Sequence, residues 1–139
     1  MPKKTDVTPQ AAPSADVIAR WRSHLQACGE MGPAIVAHDW SNNPLGPLET
    51  WPATLRSAVG MCVSSKFPMV LWWGPELVMV YNDGYRQIMG ENKHSDALGA
   101  PGRAVWPEIW DVISPMLFHP LVVVFPSASV VLVRWPPLS

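Results

Sequence analysis

Two histidine–carboxylate pairs are the first candidates for a functional site in this sequence of 139 residues. His38 is followed directly by Asp39, and His94 stands two residues before Asp96. An imidazole beside a carboxylate can transfer a proton or begin a metal site. Neither pair has a second histidine at ligand spacing, so we expect a loop hydrogen bond at the first pair and a helix cap at the second. No metal site is predicted.

The familiar motifs of nucleophilic and phosphate chemistry are incomplete. Ser64-Ser65 lack the flanking glycines of a nucleophile elbow, and Gly99-Ala-Pro-Gly102 is too short for a phosphate-binding loop. Cys28 and Cys62 form no CxxC motif, and two widely spaced thiols suit a reducing compartment. We expect no catalysis in this chain.

Composition limits the classes of partner. With 48% hydrophobic and 15% charged residues, the chain has the make-up of one globular domain. Its net charge is −1 and its largest basic cluster is Lys3-Lys4, which predicts no binding to nucleic acid. The N-terminus lacks the apolar segment of a secretory signal, and no apolar run reaches about 18 residues. We therefore expect no membrane partner and a cytoplasmic location.

A strand, a tight turn and a second strand are predicted in the middle of the chain. Met69 to Trp73 and Leu77 to Tyr81 are apolar runs rich in valine and aromatic residues. Between them stands Gly74-Pro75-Glu76, whose residue types favour a turn. The pattern predicts an antiparallel hairpin.

Helices are predicted on both sides of this hairpin. Asn82 or Asp83 is expected to cap a helix that ends at Gly90. A helix from Trp51-Pro52 contains Gly60, which favours close packing against a neighbour. A later helix has an apolar stripe at helical spacing, formed by Trp106, Ile109, Trp110 and Ile113.

The N-terminal part is predicted to hold a tail, a helix and an ordered loop. Residues 1–15 carry three prolines and few apolar groups, which predicts a flexible tail. Asp16 is expected to cap a helix that could dock on the domain or pair two subunits. Its apolar stripe is Ile18, Trp21, Leu25 and Cys28. Trp40 and Leu45 are expected to anchor the loop that follows.

Several short motifs, taken together, resemble the N-terminal PAS sensor region of bacterial sensor histidine kinases over about residues 29–116. They are Asp39-Trp-Ser, Pro44-Leu-Gly-Pro, Trp51-Pro-x-x-Leu-Arg-x-Ala-Val59, Pro68-Met, Trp73-Gly-Pro-Glu-Leu77, Tyr81-Asn-Asp-x-Tyr85, Ala97-Leu-Gly99 and Trp106-x-Glu-Ile-Trp110. The resemblance implies a five-stranded antiparallel sheet with helices over one face. It also implies signal input to a two-component system.

The resemblance further implies a small ligand or a partner bound between the sheet and the helices. The inward-facing residues expected to line such a pocket are Trp72, Tyr81, Tyr85, Met89, Trp106 and Trp110. Core packing is the alternative for all six. No cofactor is predicted. Cys62 precedes the hairpin, so it does not match the flavin-reactive cysteine of light-sensing PAS domains. His119 falls where some PAS domains carry a haem ligand, but it lies in the last segment, 117–139, where the resemblance ends.

The last segment, 117–139, departs from the resemblance. It contains one arginine, no acidic residue and no glycine, where the family has three further strands. We expect that this tail arose by a frameshift or truncation, which the nucleotide sequence downstream of codon 116 tests. Val122 to Phe125 and Val130 to Trp135, joined by Pro126-Ser-Ala-Ser129, are predicted to form a substitute hairpin over the sheet edge that the last PAS strand would cover. Without it, the fragment is expected to be unstable and prone to aggregation.

The sequence thus predicts an α+β chain with a partial PAS-like fold. Its regions are a tail (1–15), a helical region (16–66), an incomplete PAS domain (67–116) and an apolar tail (117–139). The predicted function is sensory input without catalysis. The alternatives are an interaction fragment that dimerises through the N-terminal helix, and a non-functional remnant.

Overall fold

The chain folds into helices around a small mixed sheet, which confirms the predicted α+β class. A computed structural model describes residues 14–116, 122–125 and 130–135. The helices are α1 (Ala15–Gln26), α2 (Met31–Ala37), α3 (Ala53–Ser64), α4 (Asp83–Met89), α5 (Glu91–Ala97), α6 (Gly102–Val105) and α7 (Trp110–Met116). The strands are β1 (Met69–Trp73), β2 (Val78–Tyr81), β3 (Val122–Phe125) and β4 (Val130–Trp135). Among these described residues, no helix combines the length and apolar character needed to span a bilayer.

β1 and β2 form the predicted antiparallel hairpin, in a register that pairs Trp73 with Val78. A hydrogen bond of 3.0 Å from the Leu77 N–H to the Gly74 carbonyl closes the turn. Gly74 has a φ of 77° and Leu77 a φ of 52°, so both lie in the left-handed region. The second strand therefore begins at Val78 rather than at the predicted Leu77, because a positive φ interrupts extended backbone.

The hairpin is buried on both faces, because successive side chains point to opposite faces and consecutive residues of both strands are large and apolar. One face packs on α1, α2 and α3, and we call the core there the first cluster. Its hairpin members are Leu71, Trp73, Val78 and Val80. The other face packs on α4 to α7. Helices therefore cover both faces, whereas the resemblance implies helices over one.

Three tryptophans organise the first cluster. Trp51 lies at its centre, with ring centroids 4.9 Å from Trp40 and 5.7 Å from Trp21. The indole N–H of Trp40 donates to the Ile35 carbonyl, and that of Trp51 donates to the Gly46 carbonyl, both at 2.8 Å. Each ring thus fills the core while its polar atom is satisfied. Trp40 anchors the loop after α2, as the sequence predicts.

Helix α1 begins two residues earlier than predicted. The Ser14 hydroxyl accepts a hydrogen bond of 3.2 Å from the Val17 N–H, so Ser14 is the N-cap. The predicted cap, Asp16, lies in the first turn instead, where a carboxylate suits the positive end of the helix dipole. Ser14 thus caps α1 and Ala15 begins it, and the rest of the predicted tail lies outside the described residues.

The apolar stripe of α1 packs within the chain. Leu25 is fully buried, Ile18 is 8% exposed, and Trp21 contacts Trp51. The Trp21 indole N–H also donates to the Arg56 carbonyl of α3 at 2.9 Å. The stripe is therefore a docking face for α2 and α3, one of the two roles that the sequence left open.

The C-terminal strands extend the hairpin to a sheet of order β2-β1-β4-β3. β4 pairs with β1 in parallel, with Met69 opposite Val131 and Trp73 opposite Trp135, and β3 pairs antiparallel with β4. The substitute hairpin therefore has the predicted strands, while its predicted turn lies outside the described residues. A parallel pair needs a long crossover, which the α4–α7 segment supplies. This pair departs from the all-antiparallel sheet that the resemblance implies.

The outer edge of β2 is paired with the segment that precedes α6. The Met79 N–H donates to the Ala100 carbonyl, and the Gly99 N–H donates to the Met79 carbonyl, both at 2.9 Å. The Gly102 N–H donates to the Leu77 carbonyl at the same distance. These bonds fix the start of α6 beside the hairpin.

Candidate ligand-binding site

The six residues predicted to line a pocket lie in one apolar cluster between the hairpin and α4–α7. They are Trp72, Tyr81, Tyr85, Met89, Trp106 and Trp110. We call this the second cluster; its other buried members are Met31, Val70, Met79, Ala97 and Val105. Trp72 and Tyr81 have no exposed surface, whereas Trp106 and Trp110 are half-buried on the outer side. The structure thus brings all six together.

Asn82 holds α4 against the hairpin. Its Oδ1 accepts hydrogen bonds from the Met69 N–H at 3.0 Å and the Tyr85 N–H at 3.1 Å. Its Nδ2 donates to the Cys62 carbonyl at 2.9 Å and the Phe67 carbonyl at 2.8 Å. Asn82 is 2% exposed, and its bonds to the Cys62 carbonyl and the Tyr85 N–H are fully buried. Of the two predicted caps of α4, Asn82 is the one used.

The tryptophan rings of the second cluster meet over a glycine. The centroids of Trp72 and Trp110 are 5.7 Å apart. A Cβ placed on Gly102 would lie 2.1 Å from Cζ3 of Trp72 and 2.9 Å from Cη2 of Trp110. Only a residue without a side chain leaves room for both rings. Gly102 therefore sets how closely α6 approaches the sheet.

Two indole N–H groups in the second cluster are shielded but unsatisfied. Nε1 of Trp72 and Nε1 of Trp106 have no hydrogen-bond partner in the described part of the chain. Burial raises the pKa of Tyr85 and the nearby Trp106 indole offsets part of this rise, although the indole N–H has no hydrogen-bond partner. Leaving a buried donor unpaired costs about 1 to 3 kcal/mol. Both groups are therefore ready donors for an acceptor atom.

Tyr81 and His94 form a polar contact at the edge of the second cluster. The Tyr81 hydroxyl lies 2.7 Å from Nδ1 of His94. Burial lowers the pKa of His94, as does the positive charge of Arg86, so the neutral ring is favoured and Nδ1 can accept from Tyr81. The predicted helix cap at His94 is wrong, because α5 begins at Glu91 and His94 lies inside it.

A groove of about 260 Å³ lies outside the second cluster, between α5 and α6. Its lining is Asn92, Lys93, Asp96, Ala100, Ala104 and Val105. Ala100 and Val105 also pack in the second cluster, so they separate the groove from it. Nζ of Lys93 donates a hydrogen bond to the Val105 carbonyl and forms a salt bridge with Glu108, both at 2.8 Å. It also lies 4.7 Å from the centroid of the Trp106 ring, in a cation–π contact.

The first histidine pair makes the predicted loop hydrogen bond. Asp39 Oδ1 accepts from the Ser41 N–H at 3.0 Å and the Ser41 hydroxyl at 2.6 Å. These bonds lower the pKa of Asp39, with His38 adding a smaller effect. The His38 ring packs on Trp40 with centroids 4.5 Å apart. The pair serves loop structure.

A serine–histidine contact between the C-terminal ends of α1 and α3 was not predicted. Nε2 of His24 lies 2.9 Å from the Ser64 hydroxyl, and Sγ of Cys28 lies 3.9 Å from both. The Ser64 hydroxyl donates its one proton to the Gly60 carbonyl at 2.8 Å. In the bond between His24 and Ser64, the imidazole is therefore the donor. An imidazole that donates cannot act as the base for that hydroxyl, and the contact joins two helices.

Alkaline pH is expected to weaken the fold through Tyr85. Burial raises the pKa of Tyr85 to about 12. Because the native state holds this proton more tightly, its contribution is complete below about pH 10 and is lost as pH rises to 12. Through Tyr85, the wild type should lose about 2 kcal/mol of unfolding free energy between about pH 10 and 12, and Tyr85→Phe should not show this loss. Urea unfolding at several pH values between 9 and 12 measures it, and identical slopes for both proteins would contradict it.

Comparisons of the chain with protein families, with curated proteins and with solved structures found no match. The fold and the site of this chain are therefore the basis for assigning its class. It is an α+β chain with an aromatic cluster enclosed between a hairpin and four helices, and that cluster holds unsatisfied donors.

Proposed function

We propose that this chain is a PAS-type sensory module that binds a small molecule in the second cluster and supplies the signal input of a two-component signalling protein. The motifs that resemble the PAS sensor region support this proposal. So does the element order, in which a hairpin is followed by α4 to α7. Catalysis has no part in it.

The unpaired indole N–H of Trp72 is the observation that carries the proposal. A cluster that served only as a core would be expected to use phenylalanine here, since a buried polar atom without a partner is unfavourable. Trp40 and Trp51 in the first cluster follow the ordinary rule, because each donates to a backbone carbonyl. The contrast between the two clusters favours a binding role for the second.

Dimerisation through the α1 stripe does not enter the proposal. Leu25 is fully buried, Ile18 is 8% exposed, and Trp21 is held by Trp51 and by the Arg56 carbonyl. The buried part of this stripe is thus already occupied within the chain, and only Trp21 and Cys28 are half-buried rather than buried.

The proposal is tested by purifying the protein and measuring the mass of the intact protein by native mass spectrometry. We expect a bound small molecule that organic extraction releases, and a lower Tm for the protein refolded without it. A ligand at 100 times its Kd stabilises the native state by about 2.7 kcal/mol.

Variants locate the bound molecule. We expect Trp72→Phe to lose it and Trp21→Phe, in the first cluster, to keep it. A protein that carries no small molecule, and whose Tm responds to no member of a fragment library, would contradict the proposed function.

A further inference from the structure

A histidine, a cysteine and a serine come together where α1 and α3 end, on the side of the hairpin that carries the first cluster. Nε2 of His24 lies 2.9 Å from Oγ of Ser64, and Sγ of Cys28 lies 3.9 Å from both atoms. We propose that these three side chains bind one zinc ion, with a fourth position open to solvent. The site is separate from the second cluster and goes beyond the proposed function.

The spacing of the three donor atoms fits zinc closely. They form a triangle with sides of 2.9, 3.9 and 3.9 Å. The point equidistant from its corners lies about 2.1 Å from each atom, and zinc bonds are about 2.0 to 2.2 Å to nitrogen or oxygen and about 2.3 Å to sulfur. An ion at these distances lies slightly out of the plane of the triangle, which leaves one face for a water molecule.

The protons of the three side chains can be rearranged for an ion. Ser64 donates its proton to the Gly60 carbonyl, so its oxygen offers a lone pair towards His24. The Nε2 proton of His24 moves to Nδ1, which gives the other neutral tautomer and frees Nε2 for the ion. Cys28, whose thiol donates to the His24 carbonyl at 3.2 Å, binds as the thiolate and releases one proton to solvent.

The ends of the two helices favour a cation at this position. α1 and α3 each have 12 residues, and the C-terminal end of a helix is the negative end of its dipole. His24 lies in the last turn of α1, and Ser64 is the last residue of α3. Both are exposed and Cys28 is half-buried, so an ion can reach all three from solvent.

The donor set favours zinc over the common hard cations. Thiolate and imidazole are ligands that zinc prefers, whereas Mg²⁺ and Ca²⁺ take oxygen ligands. Within the described ranges, no three histidine, cysteine or carboxylate side chains are grouped to hold a metal, so the Ser64 hydroxyl must be the third ligand. The sequence predicts no metal site because Ser64 is 40 residues from His24, and only the fold brings the two together.

The test is calorimetric titration of the reduced full chain with Zn²⁺, with Mg²⁺ as the comparison ion. We expect one Zn²⁺ per chain and no binding of Mg²⁺. Cys28→Ser and His24→Ala should each weaken zinc binding at least about tenfold, and Ser64→Ala should weaken it by about threefold or more. Cys62→Ala and His38→Gln are the matched thiol and imidazole controls, and both should bind zinc like the wild type.

Cobalt provides a spectroscopic measure of the same site. Co²⁺ in place of zinc should give the wild type a thiolate-to-cobalt charge-transfer band, which Cys28→Ser should lack. The wild-type spectrum reports directly on sulfur coordination, so it decides the matter even where a variant does not fold.

Several outcomes would overturn the zinc site. They are a wild type that binds no zinc or shows no charge-transfer band, and unchanged zinc affinity in any of the three ligand variants. A stoichiometry of two chains per ion would also overturn it, since a second copy would then replace Ser64 as a ligand. None of these results concerns the second cluster, so the zinc site and the proposed function fail independently.

Discussion

Replacing Asn82 with alanine is expected to lower the free energy of unfolding by about 3 to 4 kcal/mol. The substitution removes four hydrogen bonds of 2.8 to 3.1 Å from a side chain that is 2% exposed. Two backbone N–H groups then lose their partner, and the Cys62 and Phe67 carbonyls each keep only a bond from Ser65. The effect exceeds that of an ordinary helix cap, about 1 kcal/mol, because only one of the four bonds is the cap itself.

The measurement is urea unfolding, in which we expect a lower midpoint with an unchanged m-value. Asn42→Ala is the matched control, since Asn42 is exposed and its loss should change the unfolding free energy by less than about 0.5 kcal/mol. Asn82→Asp separates the acceptor from the donors, because it keeps Oδ1 and loses both bonds from Nδ2. A loss below about 1 kcal/mol for Asn82→Ala would mean that backbone groups re-pair or admit water.

Local patterns in the sequence were enough to predict the hairpin, and the family resemblance singled out six residues that lie together in the second cluster. Two apolar runs of five residues with a glycine-proline turn between them have few other solutions, and alternation then assigns each side chain to a face. Trp72 and Tyr81 therefore share a face. The cap at Asn82 follows from the same local chemistry. These features depend on residues close together in sequence.

Contacts between distant elements could not be predicted from one sequence. Asp83 was an alternative cap for α4, yet its Oδ1 accepts the Met31 N–H at 2.7 Å and its Oδ2 accepts the Glu30 N–H at 3.0 Å, so it caps α2. Tyr81 and His94 meet although 13 residues separate them. Side-chain type favours a hydrogen bond in each case, but only the folded chain selects the partner.

The parallel pairing of β4 with β1 was also beyond local reasoning. The runs Val122 to Phe125 and Val130 to Trp135 indicate two strands, and nothing in them fixes which one lies beside β1. Their order depends on how the chain returns from α7 to the sheet. Strand content was predictable, whereas sheet order was not.

The second large effect is expected at Gly32 in α2, where alanine should lower the free energy of unfolding by about 3 kcal/mol. A Cβ at this position would lie 1.9 Å from the Leu25 carbonyl oxygen and 3.2 Å from Cβ of Cys28. The oxygen belongs to the backbone of α1, so the clash is relieved only when α1 and α2 move apart. This separation would expose Leu25, which is fully buried.

Gly60→Ala in α3 is the matched control, and its effect should have the opposite sign. The sequence pointed to Gly60 as the site of close packing, but a Cβ there would lie 3.7 Å from the nearest atom, on His24, which is ordinary contact. Alanine should therefore stabilise the protein by up to about 1 kcal/mol through helix propensity alone. Urea unfolding of both variants separates steric from intrinsic effects, because propensity favours alanine equally in each. If Gly32→Ala also stabilised the protein, the close approach of α1 and α2 would be wrong.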